Sequence, residues 1–177
     1  MSDRTPPTEQ PRQMNEEEAA AFVEQVFDVA RHGDAAMLAA LVSKGLPVNL
    51  RNHKGDTLLM LASYYGHIDA VRVLIEHQAD PDLRNESGQS PLAGAAFKGD
   101  LAMVKLLLEA GAQLDGASFD GRTALMMAAM FNRTEIVDYL LAQGADPHAK
   151  DANGVTALAA AQTMGAADTV AQLGKLL

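Results

Sequence analysis

The stretch Gly88-Gln89-Ser90-Pro91-Leu92-Ala93-Gly94-Ala95-Ala96 decides the fold, because it recurs. Steps of 33 residues from Gly88 land on Gly55, Gly121 and Gly154. Two positions after each glycine stands a hydroxyl residue, Thr57, Ser90, Thr123 or Thr156, and two further on a leucine, Leu59, Leu92, Leu125 or Leu158. A second series at the same spacing, Gly33, Gly66, Gly99, Asn132 and Gly165, departs from glycine only at asparagine, which tolerates left-handed backbone best. A fixed period of this size marks a repeat architecture, here of five units.

Within a unit, Leu59, Ala62 and Ser63 share one helical face, Gly66 ends that helix, and Val71, Leu74 and Ile75 form the face of a second. The turn-forming runs Ala79-Asp80-Pro81-Asp82 and Ala145-Asp146-Pro147-His148 then lead into segments such as Asn52-His53-Lys54-Gly55, which read as protruding hairpin-like loops. Such short apolar faces cannot be buried by one pair. Neighbouring pairs must stack, with Ala62, Ala95 and Ala128 permitting close approach. The expected fold is an all-α solenoid of five stacked helix pairs, three full internal repeats between capping repeats. The expected units are about 15–51, 52–84, 85–117, 118–150 and 151–177, after a flexible Pro-rich tail at 1–14.

Both ends carry the polar residues that a terminal repeat needs. Asn15 and Glu18 form a capping box opening a helix whose apolar stripe is Ala19, Phe22, Val23, Val26, Phe27 and Ala30, and Gln172, Gly174 and Lys175 interrupt the last leucine run. With 48% hydrophobic and 21% charged residues over 177 positions, the chain has the composition of a folded domain. It contains no cysteine, which excludes disulfides, thiolate nucleophiles and sulfur-based metal sites. No apolar run is long enough to span a membrane, and Met1 to Gln13 lacks the pattern of a secretory leader, so a cytoplasmic location is expected.

The quoted stretch, with Met103-Val104-Lys105-Leu106-Leu107-Leu108, Glu135-Ile136-Val137-Asp138-Tyr139-Leu140-Leu141 and Gly144-Ala145-Asp146, resembles the ankyrin repeat over about residues 20–177. The chain looks like a small stand-alone bacterial member of that family. It departs from the pattern where the family's histidine is replaced by Met60, Ala93, Met126 and Ala159, so thioether packing is expected in place of a polar tie. Only Pro91 keeps the family's proline. Gln78 stands where glycine is preferred after the second helix, at an expected cost of about 1 kcal/mol if that backbone is left-handed.

Catalytic and metal chemistry finds no foothold. Asp28 and His32 share a helix face without a nucleophile nearby, His67 reads as a turn and capping residue, and His53 and His148 fall at loop tips. Asp80, Asp82, Asp115 and Asp146 lack the dense oxygen ladder of a calcium loop, and Asx turns explain them better. No glycine-rich phosphate loop occurs. No enzyme, cofactor or metal is expected.

The resemblance implies a target-binding concave face made of loop tips and the exposed side of each first helix. By register it holds Arg51, His53, Lys54, Tyr64 and Tyr65 in one repeat, Arg84, Phe97 and Lys98 in the next, and Phe119, Arg122, Met130 and Phe131 in the one after. Arg31 and Lys150 extend the strip. It gathers five of the chain's eight aromatic rings and seven of its fourteen Lys and Arg residues, opposed by Asp56, Glu86 and Asp120. A locally basic, aromatic groove on a chain of net charge -9 suits a protein partner with an acidic, partly apolar surface. The overall charge argues against nucleic acid and anionic membrane. The expected function is a non-catalytic interaction module, monomeric on its own. The alternative that the resemblance permits is an accessory factor, such as a helper of a haem catalase or a neutraliser of a toxin.

Overall fold

In the computed structural model, residues 13–176 are described. The stretch expected as a flexible tail lies outside them as far as residue 12. Ten helices follow one another in five pairs: α1 (Glu16–His32) with α2 (Ala35–Ser43), α3 (Leu58–Tyr64) with α4 (Ile68–Glu76), α5 (Pro91–Lys98) with α6 (Leu101–Glu109), α7 (Ala124–Met130) with α8 (Thr134–Ala142), and α9 (Ala157–Met164) with α10 (Ala167–Gly174). The first helices stack in chain order from α1 to α9, and the second helices form an outer row. The fold is the all-α solenoid that the repeat period predicts.

The period places small residues where helices touch. Ala62, Ala95, Ala128 and Ala161 are each fully buried, and the next register, Ala30, Ser63, Ala96 and Ala129, is at most 1% exposed. Leu59, Leu92 and Leu125 from the first helices meet Leu74, Leu107 and Leu140 from the second in one continuous core. Thr57, Ser90, Thr123 and Thr156 each cap a first helix, the side-chain oxygen accepting from the amide of Met60, Ala93, Met126 or Ala159 at 3.1–3.3 Å. Met60 and Met126 are buried, in the place of the family's polar tie.

Hydrogen bonds join neighbouring repeats at a reach of one period. The amides of Asp80, Gln113 and Asp146 donate to side-chain oxygens of Asn49, Asp82 and Asp115 at 2.9, 2.8 and 3.2 Å. Asx turns account for Asp80 and Asp146, whereas Asp82 and Asp115 tie one repeat to the next. His67 differs from its expected capping role. It stands at the N-terminus of α4 without a side-chain cap bond, and its Nε2 donates to the Arg31 carbonyl at 2.7 Å. Arg133, in the same register, donates from Nε and Nη2 to the Phe97 carbonyl at 3.2 Å. Gly33 must be glycine for this contact, since a Cβ there would lie 2.3 Å from the His67 ring.

The ends are less polar than the sequence suggests. The Asn15–Glu18 capping box is present, and Val26, Phe27 and Ala30 are buried. Phe22 and Met37, however, are 38% and 47% exposed, on a side of α1 and α2 that no other repeat covers among the described residues. At the other end, Gln172 donates to the Thr134 carbonyl at 3.0 Å and to Asp138.

Gln78 and Asn132 are the non-glycine residues at positive φ among the described residues, at 67° and 57°. Gln78 shares its register with Gly45, Gly111 and Gly144, where a Cβ would meet nothing within 4 Å, so its penalty is conformational and not steric crowding. Replacing Gln78→Gly should raise the unfolding free energy by about 1 kcal/mol in urea titration, and Asn132→Gly by only a few tenths.

Candidate functional site

Four loops project from one edge of the stack, at 51–56, 84–89, 117–122 and 150–155, and each is closed by one polar side chain. Asn52 Oδ1 accepts from the amides of Lys54 and Asp56 at 2.9 Å, and Asn85 Oδ1 from those of Ser87 and Gln89 at 3.1 and 3.0 Å. Asp151 Oδ1 accepts from Asn153 and Val155 at 2.9 Å, and Ser118 Oγ from Arg122 at 3.1 Å. The loops bond to one another through the Glu86 amide to the Lys54 carbonyl and the Ala152 amide to the Asp120 carbonyl, at 3.0 and 2.8 Å. Gly55 and Gly121 allow these approaches, since a Cβ would stand 2.9 Å from the donating amide nitrogen. These bonds hold the loop tips as a wall facing the first helices.

Between that wall and α3, α5 and α7 runs a groove of about 710 Å³. Of the residues singled out from sequence, His53, Lys54, Tyr64, Tyr65, Phe97 and Arg122 line it, with Arg31 at one end. Lys98 stands beside it, its Nζ 4.9 Å from the centroid of the Tyr64 ring. The others lie off its lining. Arg51 Nη1 donates to the Arg84 carbonyl at 2.9 Å, and Arg84 is half-buried. Phe119 is 72% exposed at a loop tip, packed over Gly88, where a Cβ would meet its ring at 2.5 Å. Phe131 and Met130 are half-buried, Phe131 edge-on to Phe97 with centroids 4.6 Å apart. Tyr64 and Tyr65 are 37% and 52% exposed and meet edge to face at 5.5 Å.

The lining is close to charge-balanced, where the residue count alone anticipates a basic trough. Arg31, Lys54 and Arg122 stand with Asp56, Glu86 and Asp120. Arg31 pairs with Asp28 at 2.6 Å, and Arg122 lies 3.2 Å from Asp120 and 4.0 Å from Asp151. Lys54 and Lys98 are in no ion pair among the described residues, so the positive charge left for a partner sits on them. The Ser118 hydroxyl, donating to the Asp120 carboxylate, holds its pKa below the ordinary value; Arg122 adds to this and partial desolvation opposes it.

His32, His67 and His77 each spend a ring nitrogen on a backbone carbonyl. His32 Nδ1 donates to the Asp28 carbonyl at 2.7 Å while the Asp28 carboxylate takes Arg31, so the two do not form an acid–base pair. His77 donates to the Val73 carbonyl at 2.8 Å, and His53 lies 4.0 Å from Glu24. Among the described residues no three His, Asp or Glu side chains gather as a metal site, and no helix is long and apolar enough to cross a membrane.

Ala93, Gly94 and Met127 line the groove and were missed from sequence. The signal was in the register: positions 60 and 61 are Met60 and Leu61, and positions 126 and 127 are Met126 and Met127, but 93 and 94 are Ala93 and Gly94. Gly94 sits inside α5, where glycine costs about 1 kcal/mol relative to alanine.

Residues 26–118 match the family model for ankyrin repeats in three copies, and residues 120–152 match that of the single ankyrin repeat. The chain is 61% identical over 66 residues to an ankyrin repeat protein of Pseudomonas aeruginosa, across 37% of this chain and 39% of that protein. It is 47% identical over 55 residues to human ankyrin repeat domain-containing protein 29, across 30% of this chain and 18% of the relative. Human ankyrin repeat domain-containing protein 63 is 43% identical over 47 residues, across 27% and 12%. The matched segments thus span well under two thirds of these relatives.

Because the Ser118 hydroxyl favours the ionised form of Asp120, its bond contributes stability above the ordinary carboxylate pKa of about 3.8, and that contribution is lost as pH falls through the lower folded value. Ser118→Ala should move the Asp120 carboxyl titration, followed by carbon NMR, upward toward that of an unperturbed aspartate.

Proposed function

The chain belongs to the ankyrin-repeat family, and we propose that it is a non-catalytic interaction module that holds one protein partner in the groove between its loop tips and its first helices. The observation that carries this reading is the exposure of Tyr64 and Tyr65 on the groove, beside Phe97. Rings of this kind bury large area at small entropic cost and dominate binding energy at interfaces. The partner offers a partly apolar surface, with acidic groups opposite Lys54 and Lys98. Since the lining is nearly balanced in charge, burial of the rings supplies most of the affinity, and the lysines bias orientation and encounter rate.

Nucleic acid suits this groove poorly. Three carboxylates share the lining with its cations, and the chain as a whole carries -9. A role as an enzyme's helper or a toxin's neutraliser would use the same surface, because those targets are proteins too. A haem ligand at His67 would first have to break its bond to the Arg31 carbonyl.

Replacing Tyr65→Ala and Phe97→Ala together should weaken partner capture by about 30-fold or more while circular dichroism and melting stay near wild type. Retention of full affinity by the folded double variant would place the partner elsewhere. Filter binding to single-stranded oligonucleotides at two salt concentrations should show no retention above background.

A further inference from the structure

We propose that the middle of the groove is a socket for one large apolar side chain of the protein partner, flanked on that partner by a carboxylate that meets Lys98, and that Gly94 is the residue that keeps it open. This rests on the groove being the partner surface. Two adjacent groove positions are truncated together in the third repeat: Ala93 and Gly94 stand between Met60 and Leu61 on one side and Met127 on the other, while Ala159 and Ala160, small in the same register of the last repeat, lie off the groove lining. The stack there lacks the side chains that fill the same register in its neighbours.

Nothing in the fold demands the glycine. Gly94 is helical, its amide donating to the Ser90 carbonyl at 3.1 Å, and a Cβ would meet nothing nearer than Tyr64 Cδ2 at 3.6 Å, an ordinary contact. By contrast, a Cβ at Gly33, Gly55, Gly88, Gly99 or Gly121 would come within 3.0 Å of a neighbour. A helix-weakening residue therefore stands where a side chain would fit and would favour the helix, and what it leaves is open space on the groove floor.

The surroundings describe the occupant. Tyr64 borders the space, Phe97 follows one turn along α5, and Met127 lines the groove from the next repeat, giving the socket apolar, adaptable walls. On the loop side the Asn85 side chain is taken up within and between the loops, which leaves the Gln89 side-chain N–H groups and the Ser90 hydroxyl proton to meet the backbone carbonyls of an extended segment. Lys98 rests on the Tyr64 ring, so a carboxylate beside the inserted side chain gains a partner there and a cation is repelled. The occupant is a protein segment with a large apolar residue next to Asp or Glu.

A random linear peptide library displayed on phage, selected against the wild-type chain, tests this. Enriched peptides should share a large apolar residue adjacent to an acidic one. Synthetic copies should bind Gly94→Leu about tenfold or more weakly, Lys98→Ala about threefold more weakly, and Met37→Ser on α2 as they bind wild type. Gly94→Leu should melt at or above the wild-type temperature; if it melts lower, Gly94→Ala carries the test with an expected loss of about threefold. Undiminished binding to the folded Gly94 variants, enrichment of basic or wholly polar sequences, or no enrichment overturns the socket. If such peptides still depend on Tyr65 and Phe97, the groove stands and only the socket falls; if they depend on neither, both fall.

Discussion

Burial of alanine against the neighbouring repeat is the constraint on which the molecule depends. Helices of seven to nine residues, as α2 to α10 all are, are too short to be stable alone in water. They persist because Ala62, Ala95, Ala128 and Ala161 let successive first helices approach until Leu59, Leu92 and Leu125 are at most 3% exposed. Stability is then shared between neighbours, and geometry is shared with it. The loop tips keep a fixed distance from the first helices only because each repeat is seated on the last.

That arrangement leaves one edge free for other purposes. Core positions are dictated by stacking and repeat almost without change, whereas the residues along the first-helix edge are less constrained and vary from one repeat to the next. Tyr64, Phe97 and Met130 occupy one such register, of which Tyr64 and Phe97 line the groove, and Leu61, Gly94 and Met127 occupy another. The polar ties follow a third logic. His67 and Arg133 are chemically unlike, yet each reaches a backbone carbonyl of the preceding repeat, so the same position serves stacking through different side chains.

The fold was legible because its period is written in glycines, hydroxyl caps and leucines, each fixed by a local backbone need. Gln78 illustrates how far such reading goes: the resemblance marked its position as one that prefers glycine and so raised the question of a left-handed backbone, and its φ is 67°. The site was harder. Arg51 and Arg84 look like groove cations when counted along the chain, but Arg51 spends its guanidinium on a carbonyl one repeat away. Arg31 and Arg122 are met by Asp28 and Asp120, pairings that a count of charges does not weigh. The loop-closing register of Asn52, Asn85, Ser118 and Asp151 escaped notice because its members share only a side-chain oxygen. Gly94 escaped because glycine in a helix reads as a blemish until its neighbours in register are compared.

The central claim is that stacking presents one working face, the trough between loop tips and first helices. Amide hydrogen exchange of the chain, free and saturated with a purified protein partner, measures this most directly. Slowed exchange in 52–65, 85–98 and 118–131, with α2, α4, α6 and α8 unchanged, is the predicted footprint. Protection confined to those outer helices would contradict the account.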